Sequence, residues 1–156
     1  MNIFLQLLVQ AGFSYLATLT FGVILNIPRR NLNTCAWIGM IGWVSYWGLW
    51  QLGTGKLIAN LVGAFLIGII SVIMGPIKKT PTLLFNIPAL VPLVPGATAF
   101  EAVRYLVLGR LDMASSYLLT VLMVISAISV GFMIAQMLGE LVKPVQLKYI
   151  AKKKQS

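Results

Sequence analysis

Histidine is absent from the 156 residues, cysteine occurs once, at Cys35, and the acids number three: Glu101, Asp112 and Glu140. A single cysteine excludes an internal disulfide, and these scattered residues form no cluster with metal-ligand spacing. No catalytic dyad is present to support an intramembrane enzyme. No G-x-x-x-x-G-K-[ST] loop is present to hold ATP. The expectation is a chain that is not an enzyme and that carries no cofactor and no metal. Charge is also scarce, at 10% of residues, against about a quarter in a soluble domain.

What is there instead is apolar, 59% of the chain, and it comes in runs. Positions 2–25, 31–55, 57–77 and 113–139 hold no charge at all. A helix that crosses a bilayer needs roughly 20 mostly apolar residues, and each run reaches that length. The first begins without a Lys or Arg before it and outruns a signal-peptide core of about 7–15 residues, so it is expected to remain as a span. Proline and glycine punctuate the rest. The expected fold is an all-α integral membrane protein, one membrane domain over 1–156. Its five transmembrane helices are expected at about 2–26, 33–50, 56–75, 81–108 and 115–141, with a basic cytoplasmic tail at 142–156. Pro28, Pro76 and Pro144 are read as stops for the first, third and fifth.

The twelve basic residues sort by side if there are five crossings. Arg29, Arg30, Lys78, Lys79, Lys143, Lys148, Lys152, Lys153 and Lys154 fall together, against Lys56 and Arg110, with Arg104 inside the fourth span. The positive-inside rule then puts the N-terminus outside and the C-terminus in the cytoplasm. So uneven a split commits the chain to one orientation and excludes an inverted homodimer. The net charge of +9 sits at the ends of apolar runs, which points to topology and lipid headgroups rather than to nucleic acid.

Three helix faces carry small or polar residues every four positions: Ser14, Thr18, Gly22 and Asn26; Asn60, Ala64 and Gly68; Ala127, Gly131, Ala135 and Gly139. Such stripes let helices approach closely. For the first, a polar pathway is the competing reading, and for the last a homo-oligomer contact. Trp43, Tyr46, Trp47 and Trp50 read as an interfacial aromatic belt, with substrate stacking as the rival.

The segment from Pro81 to Gly96 is expected to interrupt the fourth span, with Pro88, Pro92 and Pro95 as helix breakers. A proline in a helix interior costs about 3 kcal/mol and frees the carbonyl four residues earlier. Such backbone is tolerated at membrane depth only where protein or a wet cavity covers it. A helix then restarts at Ala97, its N-terminal N–H groups and positive dipole end free to meet an anion. Thr98 to Glu101 matches a capping box, and Glu101 and Arg104 share a face three residues apart. The candidate substrate-binding residues are therefore Pro95, Gly96, Ala97, Thr98, Glu101 and Arg104. Glu101 and Arg104 serve a substrate, or else cap the helix and neutralise one another.

The stretch Asn86-Ile87-Pro88-Ala89-Leu90-Val91-Pro92-Leu93-Val94-Pro95-Gly96, followed by Phe100 and Glu101, resembles the threonine/serine exporter family (ThrE-like). Gly12-Phe13, Phe21-Gly22-Val23, Ile27-Pro28-Arg29-Arg30 and Gly39-Met40-Ile41-Gly42-Trp43 fit the C-terminal membrane half of that family. With one half present, the chain is similar to the small subunit of the split form (YjjB-like), which works with a larger membrane subunit (YjjP-like). The resemblance implies a secondary exporter of threonine and serine, or of dicarboxylates such as succinate, in the bacterial cytoplasmic (inner) membrane. Its alternative is a non-transporting assembly subunit. The expected partners are the YjjP-like subunit, the lipid bilayer, a small carboxylate or amino-acid substrate, and a second copy of the chain in a possible homo-oligomer.

Overall fold

Small residues set the spacing of this bundle. The computed structural model describes residues 2–155, with side chains to Leu141. Six α-helices account for the regular structure among them: α1 (Ile3–Ile24), α2 (Arg29–Gln51), α3 (Lys56–Lys78), α4 (Leu83–Leu90), α5 (Gly96–Val107) and α6 (Leu111–Gln155), with a 3₁₀ turn at Val91–Leu93 between α4 and α5. Where α1 meets α2, the Thr18 side chain occupies the space a Cβ on Gly39 would need, and Leu32 packs on Gly22. Gly42 of α2 receives Ile67 of α3. Along α3 and α6, a Cβ on Gly131 would stand 2.5 Å from the Leu61 carbonyl oxygen, and one on Gly68 would stand 2.6 Å from the Ala135 Cβ. Gly139 meets Val72.

The stripes therefore serve packing within the chain. Ser14, Thr18 and Gly22 are buried, while Asn26 turns out of line at φ 55°. The first two hydroxyls return to their own helix, on Ala11 O at 3.1 Å and Ser14 O at 2.9 Å, so this face lines no pathway. The Gly131, Ala135 and Gly139 face is covered by α3, which removes it as a contact for a second copy.

These contacts also give direction. α1 and α2 are antiparallel, since Gly22 meets Leu32 and Thr18 meets Gly39. α3 and α6 are parallel, since Leu61, Gly68 and Val72 meet Gly131, Ala135 and Gly139 in that order. α4 runs parallel to α2, with Asn31 bonded to Thr80 and Cys35 to Leu84. The bundle thus has a Lys56 end and a Lys78 end.

Among the described residues, three helices are long and apolar enough to cross a bilayer: α1, α3 and the Leu111–Leu141 part of α6. A fourth follows if α4 and α5, bent by 58°, count as one span. α2 has the length, 23 residues, or about 34 Å at 1.5 Å per residue. Its Trp, Tyr, Ser and Asn content keeps it below that apolar threshold. The Leu111–Leu141 stretch has 31 residues, about 46 Å of helix.

Three expected stops do not stop their helices. Pro76 lies inside α3, which ends two residues later at Lys78, before the left-handed Lys79 (φ 52°). The α6 backbone continues past Pro144, where a proline removes one N–H and frees one carbonyl. Side chains of the tail at 142–156 lie outside those described. Pro88 lies inside α4, for a reason found in its neighbours. The Leu84 carbonyl that it frees accepts the Cys35 thiol at 3.4 Å, and the Pro88 carbonyl accepts the Val91 N–H where the helix tightens to 3₁₀. The chain turns instead at Pro95, whose φ of −77° and ψ of 56° form an inverse γ-turn closed by Gly96 N–H on Val94 O at 2.8 Å.

Candidate functional site

At the Lys56 end the bend opens a vestibule of about 230 Å³. Its floor is the main chain from Pro92 to Thr98, and its walls are Trp43 and Tyr46 of α2, Lys56 and Asn60 of α3, and Thr120 and Val124 of α6. Two larger hollows, one between α5 and α6 and one between α3 and α6, are walled almost wholly by aliphatic side chains. They have the character of lipid-facing grooves, whereas polar groups converge on the vestibule.

Each wall is held by a local rule. Trp43 donates its indole N–H to Gln10 Oε1 at 2.8 Å, which ties the wall to α1. Trp43 packs on Tyr46 at 5.1 Å between ring centroids, and Tyr46 stacks on Trp50 at 6.4 Å. The Lys56 ammonium lies 6.0 Å from the Trp50 ring centroid. Asn60 donates one of its two amide N–H groups to Lys56 O at 2.7 Å, and Thr120 spends its O–H on Ser116 O at 3.0 Å. Asn60 keeps an acceptor oxygen and one N–H, and Thr120 keeps an acceptor oxygen. On the floor, Ala99 N–H bonds Pro95 O at 2.9 Å, and the N–H groups of Ala97 and Thr98, in the first turn of α5, have no partner within the helix.

The electrostatics follow from this roll. No carboxylate lines the vestibule, while Lys56 and the N-terminal pole of α5 do. A helix start carries the equivalent of about half a positive charge. The vestibule therefore favours an anionic group near Lys56 and the α5 start, with acceptors on the opposite wall for a donor.

Of the residues singled out from sequence, Pro92, Pro95, Gly96, Ala97 and Thr98 line this cavity. Glu101 and Arg104 do not. They pair at 3.4 Å on the outer face of α5, where the Arg104 side chain is 56% exposed. Arg104 and Arg110 also flank the Tyr105 ring at 6.0 and 5.6 Å. Nor does Thr98 cap the helix. The residue at that position is Pro95, and no side chain bonds there, because the γ-turn starts the helix at Gly96, two residues before Thr98. The expected restart at Ala97 moves by one, to Gly96.

Lys56, Asn60 and Thr120 escaped the sequence reading. Lys56 counted only as an outside charge and Asn60 only as part of a packing stripe. The signal that was available is the polar spacing of Lys56 and Asn60 beside the outer aromatic cluster. Trp43 and Tyr46, read as an aromatic belt, also face the cavity.

No solved structure matches the chain. The sequence model of the threonine/serine exporter, ThrE, matches residues 10–138, a stretch that takes in the bend and every wall of the vestibule. This membrane-embedded chain belongs to the threonine/serine exporter (ThrE) family.

Proposed function

We propose that the chain is one subunit of a secondary exporter that moves threonine or serine outward across the bacterial cytoplasmic membrane, and that the vestibule is its outer binding site. The observation that carries this reading is the pairing of cationic and acceptor groups around the cavity. A free amino acid brings a carboxylate and an ammonium. Lys56 and the N–H groups of Ala97 and Thr98 suit the first, and Asn60 Oδ1 and Thr120 Oγ1 suit the second. Succinate brings two carboxylates and would leave those acceptors unmatched, so the amino acid is the better fit.

Connectivity supports five crossings. α3 and α6 are parallel, so the segment between them has to return to the Lys56 end, and α4, parallel to α2, starts that return. With nine of the basic residues on the Lys78 side, that end is cytoplasmic and the vestibule opens outward. The larger YjjP-like subunit belongs on α5. An exposed charge pair facing lipid costs at least about 2.5–3.5 kcal/mol per residue near mid-membrane. Glu101 and Arg104 lie among exposed Phe100, Val103 and Val107, a face that a second subunit would cover.

The test is efflux of labelled threonine from cells expressing both subunits. Lys56→Gln is expected to reduce it at least about tenfold, which equals about 1.4 kcal/mol, with unchanged membrane yield and with Lys56→Arg retaining most of the flux. Wild-type efflux by well-expressed Lys56→Gln refutes the site. A parallel loss of succinate efflux would move the substrate assignment to dicarboxylates.

A further inference from the structure

Beneath the vestibule floor lies a second polar element. Three side-chain oxygens, Asn31 Oδ1, Ser71 Oγ and Asn86 Oδ1, are buried without a hydrogen-bond partner. Their residues are 0%, 0% and 7% exposed. Buried polar atoms are ordinarily satisfied, and each exception calls for an explanation.

The three are not scattered. α3 and α4 pack antiparallel: Thr82 Cγ2 lies 2.8 Å from the place of a Gly75 Cβ, and the Leu93 methyls lie 3.3 Å from that of Gly63. Ser71 is one turn from Gly75 toward Gly63, and Asn86 is about one turn from Thr82 toward Leu93. The register therefore sets Ser71 and Asn86 level with each other across this interface. Asn31 sits nearer the Lys78 end, where its Nδ2 donates to Thr80 Oγ1 at 3.2 Å. Thr80 in turn lines an open hollow of about 480 Å³ with Gly75, Lys79 and Thr82. On the other side of Asn86, Phe85, Ala89 and Leu93 belong to the apolar core, and Leu93 also lines the vestibule floor. From one end to the other the order is open hollow, Thr80 with Asn31, Ser71 with Asn86, an apolar plug, and the vestibule.

We infer that Asn31, Ser71 and Asn86 form the inner half of the translocation path, a site for an ammonium-bearing substrate that is shut in this conformation. This inference rests on the transport function proposed above and names the opposite face of the same path. The chemistry of the orphans selects the ligand. Two are amide oxygens, which only accept, and the third is a hydroxyl, which accepts as well as donates. What the two amide oxygens lack is donors, and the hydroxyl can accept one as well. An α-ammonium presents three N–H donors on one atom, whereas a carboxylate presents none. The acids Glu101, Asp112 and Glu140 lie on α5 and α6, outside this α2, α3 and α4 packing. Neutral oxygens hold a cation without the grip of a carboxylate, which suits a site that has to release as well as bind.

The test is thiol accessibility of Asn86→Cys in a Cys35→Ala background, with the larger subunit present, in right-side-out and inside-out membrane vesicles. The probe is a small cationic reagent that does not cross membranes. Modification is expected from the cytoplasmic face alone, slowed about tenfold when threonine is present at about ten times its Kd. No modification from either face, modification from the outer face, or modification indifferent to threonine each overturns the inference. Ser71→Ala with Asn86→Leu removes two orphans at once. The assembled complex is expected to keep its melting temperature while threonine efflux falls at least tenfold, and retained efflux would overturn the site. Wild-type efflux separates the two readings. If the wild-type complex moves neither threonine nor serine, the proposed function fails. If it does, and Asn86→Cys stays unreachable, the inner site alone fails.

Discussion

The two ends of the α2, α3 and α4 packing differ in how their polar groups are treated. At the Lys56 end, a lysine, an asparagine, a threonine and the start of α5 surround an open vestibule. At the Lys78 end, oxygens of comparable chemistry are sealed without partners. Composition does not explain the difference, because both ends use Asn with Ser or Thr. Packing does. Toward the Lys78 end, α3 and α4 close on one another, with Thr82 Cγ2 2.8 Å from the place of a Gly75 Cβ. At the Lys56 end, nothing stands within 4 Å of a Cβ added to Gly96. Openness here is a property of helix spacing, and helix spacing is set by single glycines.

That contrast predicts the largest effect of substitution. Gly68→Leu drives a side chain into Ala135 and Phe132 and is expected to lose assembled protein outright, since overpacking by even a few methylenes costs about 1–3 kcal/mol. Gly96→Ala, at the open end, is expected to leave the melting temperature unchanged or slightly raised, as alanine favours a helix by about 0.8–1.0 kcal/mol over glycine. Equal losses at both positions, measured as detergent-solubilised yield and thermal stability, would show that the ends are packed alike.

A middling effect is expected at the seam between them. Cys35→Ala removes the thiol that serves the Leu84 carbonyl, and the loss is expected near 1 kcal/mol, in the range for one intramolecular hydrogen bond. Cys35→Ser keeps a donor and is expected to lose less. If serine and alanine destabilise equally in thermal melts, the thiol is mere filling and the α4 helix tolerates Pro88 for some other reason.

The smallest effect is expected outside both ends. Glu101→Gln with Arg104→Gln removes a pair that lines neither the vestibule nor the seam. Threonine efflux by the assembled complex is expected to stay within about twofold of wild type, a difference of about 0.4 kcal/mol. A tenfold loss at normal assembly would bring α5's outer face into the path and blur the contrast between the ends.

Sequence carried the helical class, the membrane character and the place of the bend, because apolar run length and proline spacing are local properties. It counted Pro88 as a breaker beside Pro95, and Pro88 lies inside α4. Pro88 stays helical, and a cysteine 53 positions earlier reaches the Leu84 carbonyl that it frees, a partnership that no local rule encodes. The segment Pro92–Thr98, which lines the vestibule, was legible for the same local reason. The wall built from Lys56, Asn60 and Thr120 was not, since it exists only once α3 and α6 are set parallel. Glu101 and Arg104 drew notice as rare charges, and their spacing was right for a pair. The structure sets that pair on the exposed face of α5, and the Pro95 torsions from which the helix starts are invisible in composition.

The length of α6 has a consequence for the surrounding lipid. Its charge-free run, positions 113–139, makes a rod of about 40 Å against a hydrocarbon core of about 30 Å. Fitting by tilt alone would take about 40°, the upper end of the usual range of about 0–40°. α3, charge-free over 57–77 and about 31 Å long there, fits almost upright. Two parallel neighbours thus favour different membrane thicknesses. The surplus falls where α6 overhangs the start of α3 and pairs with α5, beside the vestibule mouth. Hydrophobic mismatch is thereby concentrated at one rim of the protein, and the thickness of the host membrane becomes a force on the rim of the vestibule.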